Sequence, residues 1–174
     1  MSDKSACGAT EFATERGMPL LRYPDPNQGS DRGLSLLLSA LEDGRVDAIL
    51  LAGYLKFVPP EVLRAFPNAV LNIHPALLPA FGGKGCYGAK VHELVLESGA
   101  RFSGPTVHFV NEKYDDGKII AQAVVAVQPE DTVATLSKRV LQREHELYPA
   151  VVAAWCDGRI GWTDQGKPFV WSRA

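Results

Sequence analysis

Residues 69–79 of the chain read AVLNIHPALLP, and the rest of the sequence is interpreted from this stretch outward. Its first part, Ala69 to His74, is a short and mainly apolar run, which predicts a strand buried in a sheet. Pro75 has no backbone N–H with which to continue the strand pairing, so we expect the strand to end at His74. Asn72 and His74 are two residues apart, and their side chains therefore point to one face at the carboxyl end of the strand.

Strand-like and helix-like segments alternate on both sides of this stretch. The other predicted strands are residues 19–23, 46–53, 102–110 and 119–127. The predicted helices are residues 6–16, 30–41, 59–66, 87–96 and 132–157, the last of them bent or restarted near Pro149. This alternation, with strands that are apolar along their length, predicts an α/β domain around a largely parallel sheet with flanking helices. Ligands of such sheets bind beyond the carboxyl ends of the strands, so the polar residues there are the first functional candidates.

The composition excludes several classes of protein. The chain has 174 residues, 46% of them hydrophobic and 22% charged, which fits a single domain over residues 1–174. Its net charge of -2, without a basic run, argues against a nucleic-acid partner, and no apolar run has the roughly 20 residues that cross a membrane. Cys7, Cys86 and Cys156 lack metal-ligand spacing, so no metal is expected. We expect small-molecule substrates and a cytoplasmic location. The sequence leaves open whether the protein is a monomer or a homo-oligomer.

Two polar groups of residues suggest chemistry. An amide and an imidazole at Asn72 and His74 could both donate to an oxygen that gains negative charge, although the same groups could instead satisfy loop carbonyls. Residues 111–118 (NEKYDDGK) form a second polar segment, in which a carboxylate could orient a histidine. The competing interpretation of this segment is ordinary turn chemistry, which its Asp-Asp-Gly run favours.

The remaining histidines are weaker candidates. His108 lies inside a predicted strand and is interpreted either as a histidine that supports the site residues or as a core histidine, in both cases bonded to neighbouring backbone. His92 falls on the polar face of its predicted helix, so we expect it to be solvated. Periodicity leaves open whether Glu144 or His145 faces a cleft. Residues 82–85 (GGKG) lack the spacing of the common phosphate-binding fingerprints and are a weak signal.

Four stretches of the chain together resemble the phosphoribosylglycinamide formyltransferases, also called glycinamide ribonucleotide transformylases. They are residues 51–58 (LAGYLKFV), 71–79 (LNIHPALLP), 106–110 (TVHFV) with YD at 114–115, and 143–149 (REHELYP). The resemblance runs from about residue 2 to about residue 159. It implies a Rossmann-like formyltransferase fold and transfer of the formyl group of 10-formyltetrahydrofolate, a co-substrate, to the amine of glycinamide ribonucleotide in purine synthesis.

By matching position, the resemblance also implies individual roles. His74 is similar to the family's catalytic histidine, Asn72 to its oxyanion partner and Asp115 to the carboxylate that holds the histidine protonated. The ligand contacts that the resemblance implies come from Leu55, Lys56, Phe57, Val58 and Asn72 for the folate and from Glu144 for the ribonucleotide.

The family's members begin with a strand, a Gly-rich loop, a helix and a second strand before the segment that aligns with Ser2. We therefore expect the 174-residue chain to be N-terminally truncated relative to the family, to lack this phosphate-binding unit and to bind the ribonucleotide weakly. A non-catalytic folate-binding remnant is the main alternative. Methionyl-tRNA formyltransferase fits less well because it uses an RNA-binding domain and a basic surface. Formyltetrahydrofolate hydrolase is a further alternative, but it resembles this chain less in the stretch of residues 75–79 (PALLP).

Overall fold

The computed structural model describes residues 1–24, 27 and 29–171, and the chain divides into two compact units, Met1–Asp47 and Ala48–Ala174. Its elements are α1 Gly8–Glu15, α2 Ser30–Asp43, β1 Ile49–Leu51, α3 Pro60–Ala65, β2 Val70–His74, α4 Ala89–Glu97, β3 Phe102–Ser103, β4 Thr106–Phe109, β5 Ile119–Gln122, β6 Val125–Ala126, α5 Val133–Cys156, β7 Ile160–Trp162 and β8 Pro168–Val170. Within the described ranges, no helix has both the length and the apolar character that crossing a membrane requires.

The first unit contains α1 and α2. The hydroxyl group of Thr10 accepts a hydrogen bond from the backbone N–H of Cys7 at 2.9 Å, and this contact fixes the start of α1. α2 begins one residue after Gly29, which is its N-cap, and it buries Leu37. Both predicted helices are therefore present, with ends that lie within two residues of the predicted ones. The predicted strand over residues 19–23 is wrong, because only Arg22 makes an isolated bridge there, with Ser2.

A four-stranded sheet in the order β1-β2-β4-β5 organises the second unit. β1 and β2 pair in parallel, but β2 with β4 and β4 with β5 pair antiparallel. The sheet is therefore mixed, and the expectation of a largely parallel sheet is wrong for the described part of the chain. Only residues 110–118 connect β4 to β5, and a parallel crossover needs a dozen residues or more.

Two predicted strands are each divided in the structure. The segment 102–110 forms β3 and β4, which are separated by Gly104 and Pro105, and the segment 119–127 forms β5 and β6. β3 and β6 then pair with each other in a separate two-stranded sheet. Gly104 has a φ of 138°, and a Cβ at this position would lie 1.8 Å from the carbonyl oxygen of Ala123. This close backbone approach, rather than hydrophobic pattern, sets the break.

Helix α5 packs on both parts of the core. One core cluster contains Leu71, Val107, Phe109, Ile120 and Val151, and the other contains Val95, Val125, Leu136 and Val140. Val151 of α5 belongs to the first cluster and Leu136 to the second, so the helix links the four-stranded sheet to α4 and β6. Burial of each such side chain stabilises the fold by about 1.5–3 kcal/mol.

A buried hydrogen-bond network holds the turn that follows β2. The Oγ1 hydroxyl of Thr106 donates to the carbonyl of Ala76 at 2.6 Å and accepts from the backbone N–H of Leu78 at 3.0 Å. The side-chain amide of Gln122 donates to the same hydroxyl at 2.9 Å and to the carbonyl of Leu78 at 3.0 Å. Because unpaired buried polar groups are costly, this network keeps the turn in one conformation beside His74.

Candidate active site

A cavity of about 620 Å³ opens in the second unit at the carboxyl ends of β1 and β2. Its wall includes residues from these strand ends, from residues 83–89, from residues 110–115 and from α5. All of the site residues predicted from the sequence line this one cavity, namely Leu55, Lys56, Phe57, Val58, Asn72, His74, Asp115 and Glu144. The structure therefore brings together residues that are up to 89 positions apart in the sequence.

His74 is held by acceptors on both sides of its ring. The residue is only 4% exposed. Its Nε2 donates a hydrogen bond to the carbonyl oxygen of Phe81 at 2.8 Å, because a carbonyl can only accept. Its Nδ1 lies 3.6 Å from Oδ2 of Asp115. The ring is consequently fixed in orientation, and Nδ1 is the nitrogen that faces the carboxylate.

Asp115 occupies a strained turn position that places its carboxylate between two histidines. Its φ is 53°, in the left-handed region that Asp tolerates better than most residues. Oδ2 accepts a hydrogen bond from the backbone N–H of Gly83 at 2.9 Å, and Oδ1 lies 3.7 Å from Nε2 of His108. A Cβ on Gly82 would lie 2.5 Å from Cδ2 of Leu78 and 3.0 Å from Cβ of Asp115, so a larger residue would force these neighbours to move.

Asn72 is oriented by His108, directly across the antiparallel pair of β2 and β4. The Nδ1 of His108 donates to the carbonyl of Phe109 at 2.9 Å, so in the neutral ring Nε2 carries the lone pair. The Nδ2 amide of Asn72 donates to this Nε2 at 3.3 Å. Burial lowers the pKa of His108, which favours the neutral ring that this contact requires. The structure confirms His108 as a buried histidine bonded to neighbouring backbone, but its contact with Asn72 was not predicted.

The expectation that His92 is solvated is wrong. The residue lies in α4, is only 3% exposed and lines the cavity. Burial lowers the pKa of His92, and the nearby charge of His74 lowers it further. A signal was present in the sequence, because His92 precedes the buried Val95 by three residues and so lies near the buried face of the helix.

Glu144, rather than its neighbour His145, faces the cavity. It follows Ser137 and Leu141 at helical spacing, and these three residues of α5 line the same wall. Burial raises the pKa of Glu144, and His145 partly offsets this effect. One turn further on, the Tyr148 hydroxyl contacts two strand carbonyls, those of Leu51 and Leu71, at 3.0 Å each. This contact holds α5 against β1 and β2, whose carboxyl ends line the cavity.

The apolar rim of the cavity is formed by residues outside helices and strands. Leu55 and Phe57 are 59% and 43% exposed, whereas Val58 is buried. The Phe57 ring contacts the edge of Tyr114, with 5.2 Å between the ring centroids. Exposed apolar side chains around a cavity mouth are typical of a site that binds a flat apolar ligand. Within the ranges that the structure describes, no three His, Cys, Asp or Glu side chains are grouped to hold a metal ion.

Comparison with known proteins assigns this architecture to a family. A family model described as formyl transferase matches residues 2–152. A chloroplastic phosphoribosylglycinamide formyltransferase of Arabidopsis thaliana is 54% identical over 172 residues, which cover 98% of this chain and 59% of that relative. The chain thus spans less than two thirds of that protein's length.

Solved structures agree with the sequence comparison. The crystal structure of glycinamide ribonucleotide transformylase 1 from Symbiobacterium toebii matches with a TM-score of 0.85 and 35% identity, covering 98% of this chain and 78% of that one. A formyltetrahydrofolate deformylase from Pseudomonas syringae matches with a TM-score of 0.80 and 26% identity, covering 94% of this chain and 53% of that one. The family model and these structures together show that the chain belongs to the formyl transferase family and has the formyltransferase fold.

Proposed function

We propose that this chain carries the catalytic site of a phosphoribosylglycinamide formyltransferase, which transfers the formyl group of 10-formyltetrahydrofolate to the amine of glycinamide ribonucleotide. The observation that carries the proposal is the buried pair of His74 and Asp115 beside Asn72 at the wall of one cavity. The 54% identity to a plant enzyme of that name supports the same substrates.

The proposed reaction begins when the amine nitrogen of the ribonucleotide attacks the formyl carbon. A new C–N bond forms, and the carbonyl oxygen gains negative charge in a tetrahedral intermediate. One N–H of the Asn72 amide is directed at His108, which leaves the second N–H of the same amide for this oxygen. The intermediate collapses when the bond between the carbon and N10 of the folate breaks, and N10 receives the proton that the attacking amine has lost and that Asp115 relays.

In these steps His74 stabilises the negative charge of the intermediate and Asp115 accepts a proton. Both ring nitrogens of His74 face oxygen atoms that accept hydrogen bonds, so a protonated ring can donate to each of them. The positive ring then lies beside the oxygen that becomes negative and stabilises it in a site largely closed to water. Asp115, which lines the same cavity as His74, supplies the carboxylate that takes the proton released by the amine.

Two further walls of the cavity would hold the substrates. The segment from Leu55 to Val58 offers apolar side chains and backbone groups to the flat ring system of the folate. Glu144, in α5, lines the same cavity and offers a carboxyl group to the hydroxyls of the ribonucleotide. Both roles extend the matching positions described above and are proposals for this chain.

A second candidate function has an observation of its own. The structural similarity to a formyltetrahydrofolate deformylase favours hydrolysis of the same formyl donor, with water in place of the amine. Product analysis separates the two reactions. Incubation of 10-formyltetrahydrofolate with the chain should yield formylated ribonucleotide only when glycinamide ribonucleotide is present, whereas a deformylase would release formate without it. A remnant that only binds folate would yield neither product.

Substitution of His74 tests the catalytic assignment. In His74→Ala we expect turnover to fall by roughly 10²–10⁴, the range for positioned acid–base and oxyanion groups, while folate binding is retained. His145→Ala, which changes an exposed histidine outside the cavity, is the matched control and should keep full turnover. Turnover of His74→Ala close to that of the unchanged chain contradicts the assignment.

Several expectations from the sequence stay predictions. They are the single domain over residues 1–174, the cytoplasmic location, metal-free catalysis, the absence of nucleic-acid and membrane partners, and the open oligomeric state. The plant relative is named as chloroplastic, so the compartment requires a direct measurement, such as imaging of a fluorescent fusion protein in the source cells.

A further inference from the structure

Three residues form a row across the four-stranded sheet beside the site. His74 at the end of β2 pairs with Thr106 of β4, and Thr106 pairs with Gln122 of β5. Residues that are directly opposite each other in adjacent strands place their side chains on one face of the sheet. His74 lines the cavity, whereas Thr106 and Gln122 lie outside its wall. The row therefore connects the proposed catalytic histidine to a residue that is remote from the substrates.

The side-chain amide of Gln122 is used entirely for the turn that follows β2. Its Nε2 donates to the carbonyl oxygen of Leu78 at 3.0 Å and to Oγ1 of Thr106 at 2.9 Å. A carbonyl oxygen can only accept, so these contacts determine which end of the amide faces the turn. Gln122 is an exposed residue, and holding its long side chain in one conformation costs entropy. Both amide hydrogens are nevertheless committed to the turn rather than to solvent.

The hydroxyl group of Thr106 has no bonding capacity left while Gln122 donates to it. Its hydrogen goes to the carbonyl oxygen of Ala76 at 2.6 Å, and its two lone pairs accept from Gln122 and from the backbone N–H of Leu78. Thr106 is completely buried, so water does not compete for these bonds. If an acceptor replaced the Gln122 amide, the single hydroxyl hydrogen would have to choose between that acceptor and Ala76.

The turn held by this network leads to a strained residue that contacts His74. Phe81 has a φ of 58°, a left-handed conformation that is rare for a bulky side chain. Such conformations persist only where the surrounding structure holds them. The carbonyl oxygen of Phe81 accepts the hydrogen bond that Nε2 of His74 donates at 2.8 Å. The orientation of the His74 ring therefore depends on a backbone group that needs support from its neighbours.

The same segment also contacts the carboxylate of the site. Two residues after Phe81, the N–H of Gly83 donates to Oδ2 of Asp115 at 2.9 Å. This oxygen is the one that lies 3.6 Å from Nδ1 of His74. Residues 75–83 thus supply a hydrogen-bond partner to each member of the pair. A displacement of this segment would change the distance and angle between the two groups.

We propose that Gln122 is a positioning residue for formyl transfer, which acts from outside the cavity. Through Leu78 and Thr106 it holds residues 75–83, so that the Phe81 carbonyl keeps the His74 ring in its reactive orientation. The inference rests on the proposed function, because it concerns the geometry of the same pair. Gln122 does not line the cavity, so its loss should lower kcat and leave KM nearly unchanged.

Kinetics of two Gln122 variants test this division between kcat and KM. Gln122→Glu keeps the shape of the side chain but replaces the donor by an acceptor, and Gln122→Met removes the donor without adding charge. In both, kcat should fall about 10- to 100-fold, because a misplacement of about 1 Å has an effect of this order. KM for each substrate should change less than about threefold. Gln165→Glu is the matched control, because Gln165 is exposed in the turn between β7 and β8 and outside the cavity.

Nuclear magnetic resonance of the protein with ¹⁵N-labelled histidine observes the ring of His74 without any measurement of activity. The chain has four histidines, so the ring signals can be assigned by substitution. In the unchanged protein we expect a signal from the Nε2–H of His74 that is protected from exchange with water. Both Gln122 variants should shift this signal and lose the protection, at unchanged far-ultraviolet circular dichroism. Thr106→Ser keeps the hydroxyl and should keep the signal.

The outcomes separate positioning from a structural role. A lower kcat together with an altered His74 signal supports the proposal. The proposal is overturned if the variants are folded and either the His74 signal or kcat stays as in the unchanged protein, if the main change is in KM, or if neither variant folds. If the unchanged chain transfers no formyl group, the proposed function fails. The His74 signal alone then decides whether Gln122 positions the ring.

Discussion

Replacing Asp115 by Asn tests the electrostatic core of the proposed mechanism. The substitution removes the negative charge that lies 3.6 Å from Nδ1 of His74 and keeps the shape of the side chain. The amide oxygen of Asn can still accept the hydrogen bond that the backbone N–H of Gly83 donates at 2.9 Å, so the loop retains its anchor. The expected effect is therefore a loss of charge stabilisation rather than a loss of structure.

The size of this effect follows from the distance and the burial. Two unit charges about 4 Å apart attract each other by roughly 4 kcal/mol at an effective dielectric constant of about 20. The Asp115 side chain is only 12% exposed, so screening by solvent is limited, but water that enters beside the neutral amide recovers part of the energy. We therefore expect the rate of formyl transfer to fall about 10²- to 10³-fold, since each tenfold corresponds to about 1.4 kcal/mol.

Single-turnover formyl transfer with saturating substrates measures the chemical step directly. Asp116→Asn is the matched control, because Asp116 is exposed and contacts Asn111 and Lys113 rather than a histidine. It should react as fast as the unchanged chain. If Asp115→Asn retains the full rate, or if both variants lose it equally, the assignment of the proton-accepting carboxylate to Asp115 is refuted.

Further predictions concern stability and substrate binding. Gly117→Ala should lower the free energy of unfolding in urea by about 2–4 kcal/mol, because its Cβ would lie 1.6 Å from the carbonyl oxygen of Phe109; an unchanged urea midpoint would contradict this. Thr106→Val should cost about 1–3 kcal/mol by leaving buried groups unpaired, whereas a neutral result would mean that water replaces the hydroxyl. Burial raises the pKa of Tyr148, so the hydroxyl of the unfolded chain loses its proton at a lower pH than that of the folded protein. The free energy of unfolding should therefore fall as the pH rises above about 10. Tyr148→Phe should remove the contribution of this hydroxyl to the fall. Glu144→Gln should raise KM for the ribonucleotide about tenfold with a smaller change in kcat, and an effect on kcat alone would contradict a binding role.

The sequence was sufficient where one element by itself carries the information. The apolar run before His74 and the proline after it predicted strand β2 and its end, which the structure places at Val70–His74. The alternation of side chains along a strand put Asn72 and His74 on one face, and both line the cavity. Residues 132–157 were likewise predicted as one long helical region, bent or restarted near Pro149, and the structure has one helix that begins after a Thr132 cap and includes Pro149. These inferences needed only neighbours within a few residues.

The resemblance to a family supplied what local pattern left open in the polar loop. Turn chemistry alone favoured the interpretation of residues 111–118 as an ordinary turn, whereas the position matched to the family indicated Asp115 as a functional residue. The structure places this carboxylate, and not the exposed Asp116, beside His74. Asp115 has a φ of 53°, a conformation that aspartate adopts in ordinary turns. The residue type at this position therefore does not distinguish a turn residue from a functional one.

Only the tertiary structure decided the contacts between distant segments. The pairing of β2 with β4 brings Asn72 to His108 across 36 residues of sequence, and the packing of α4 buries His92 against the cavity. The same holds for the choice of Glu144 over His145 and for the mixed sheet. The sequence by itself determined the family, the end of β2 at His74 and the chemical groups available. Which of these groups meet was decided by the fold, because periodicity defines the faces of one helix or strand and says nothing about the element that each face will touch.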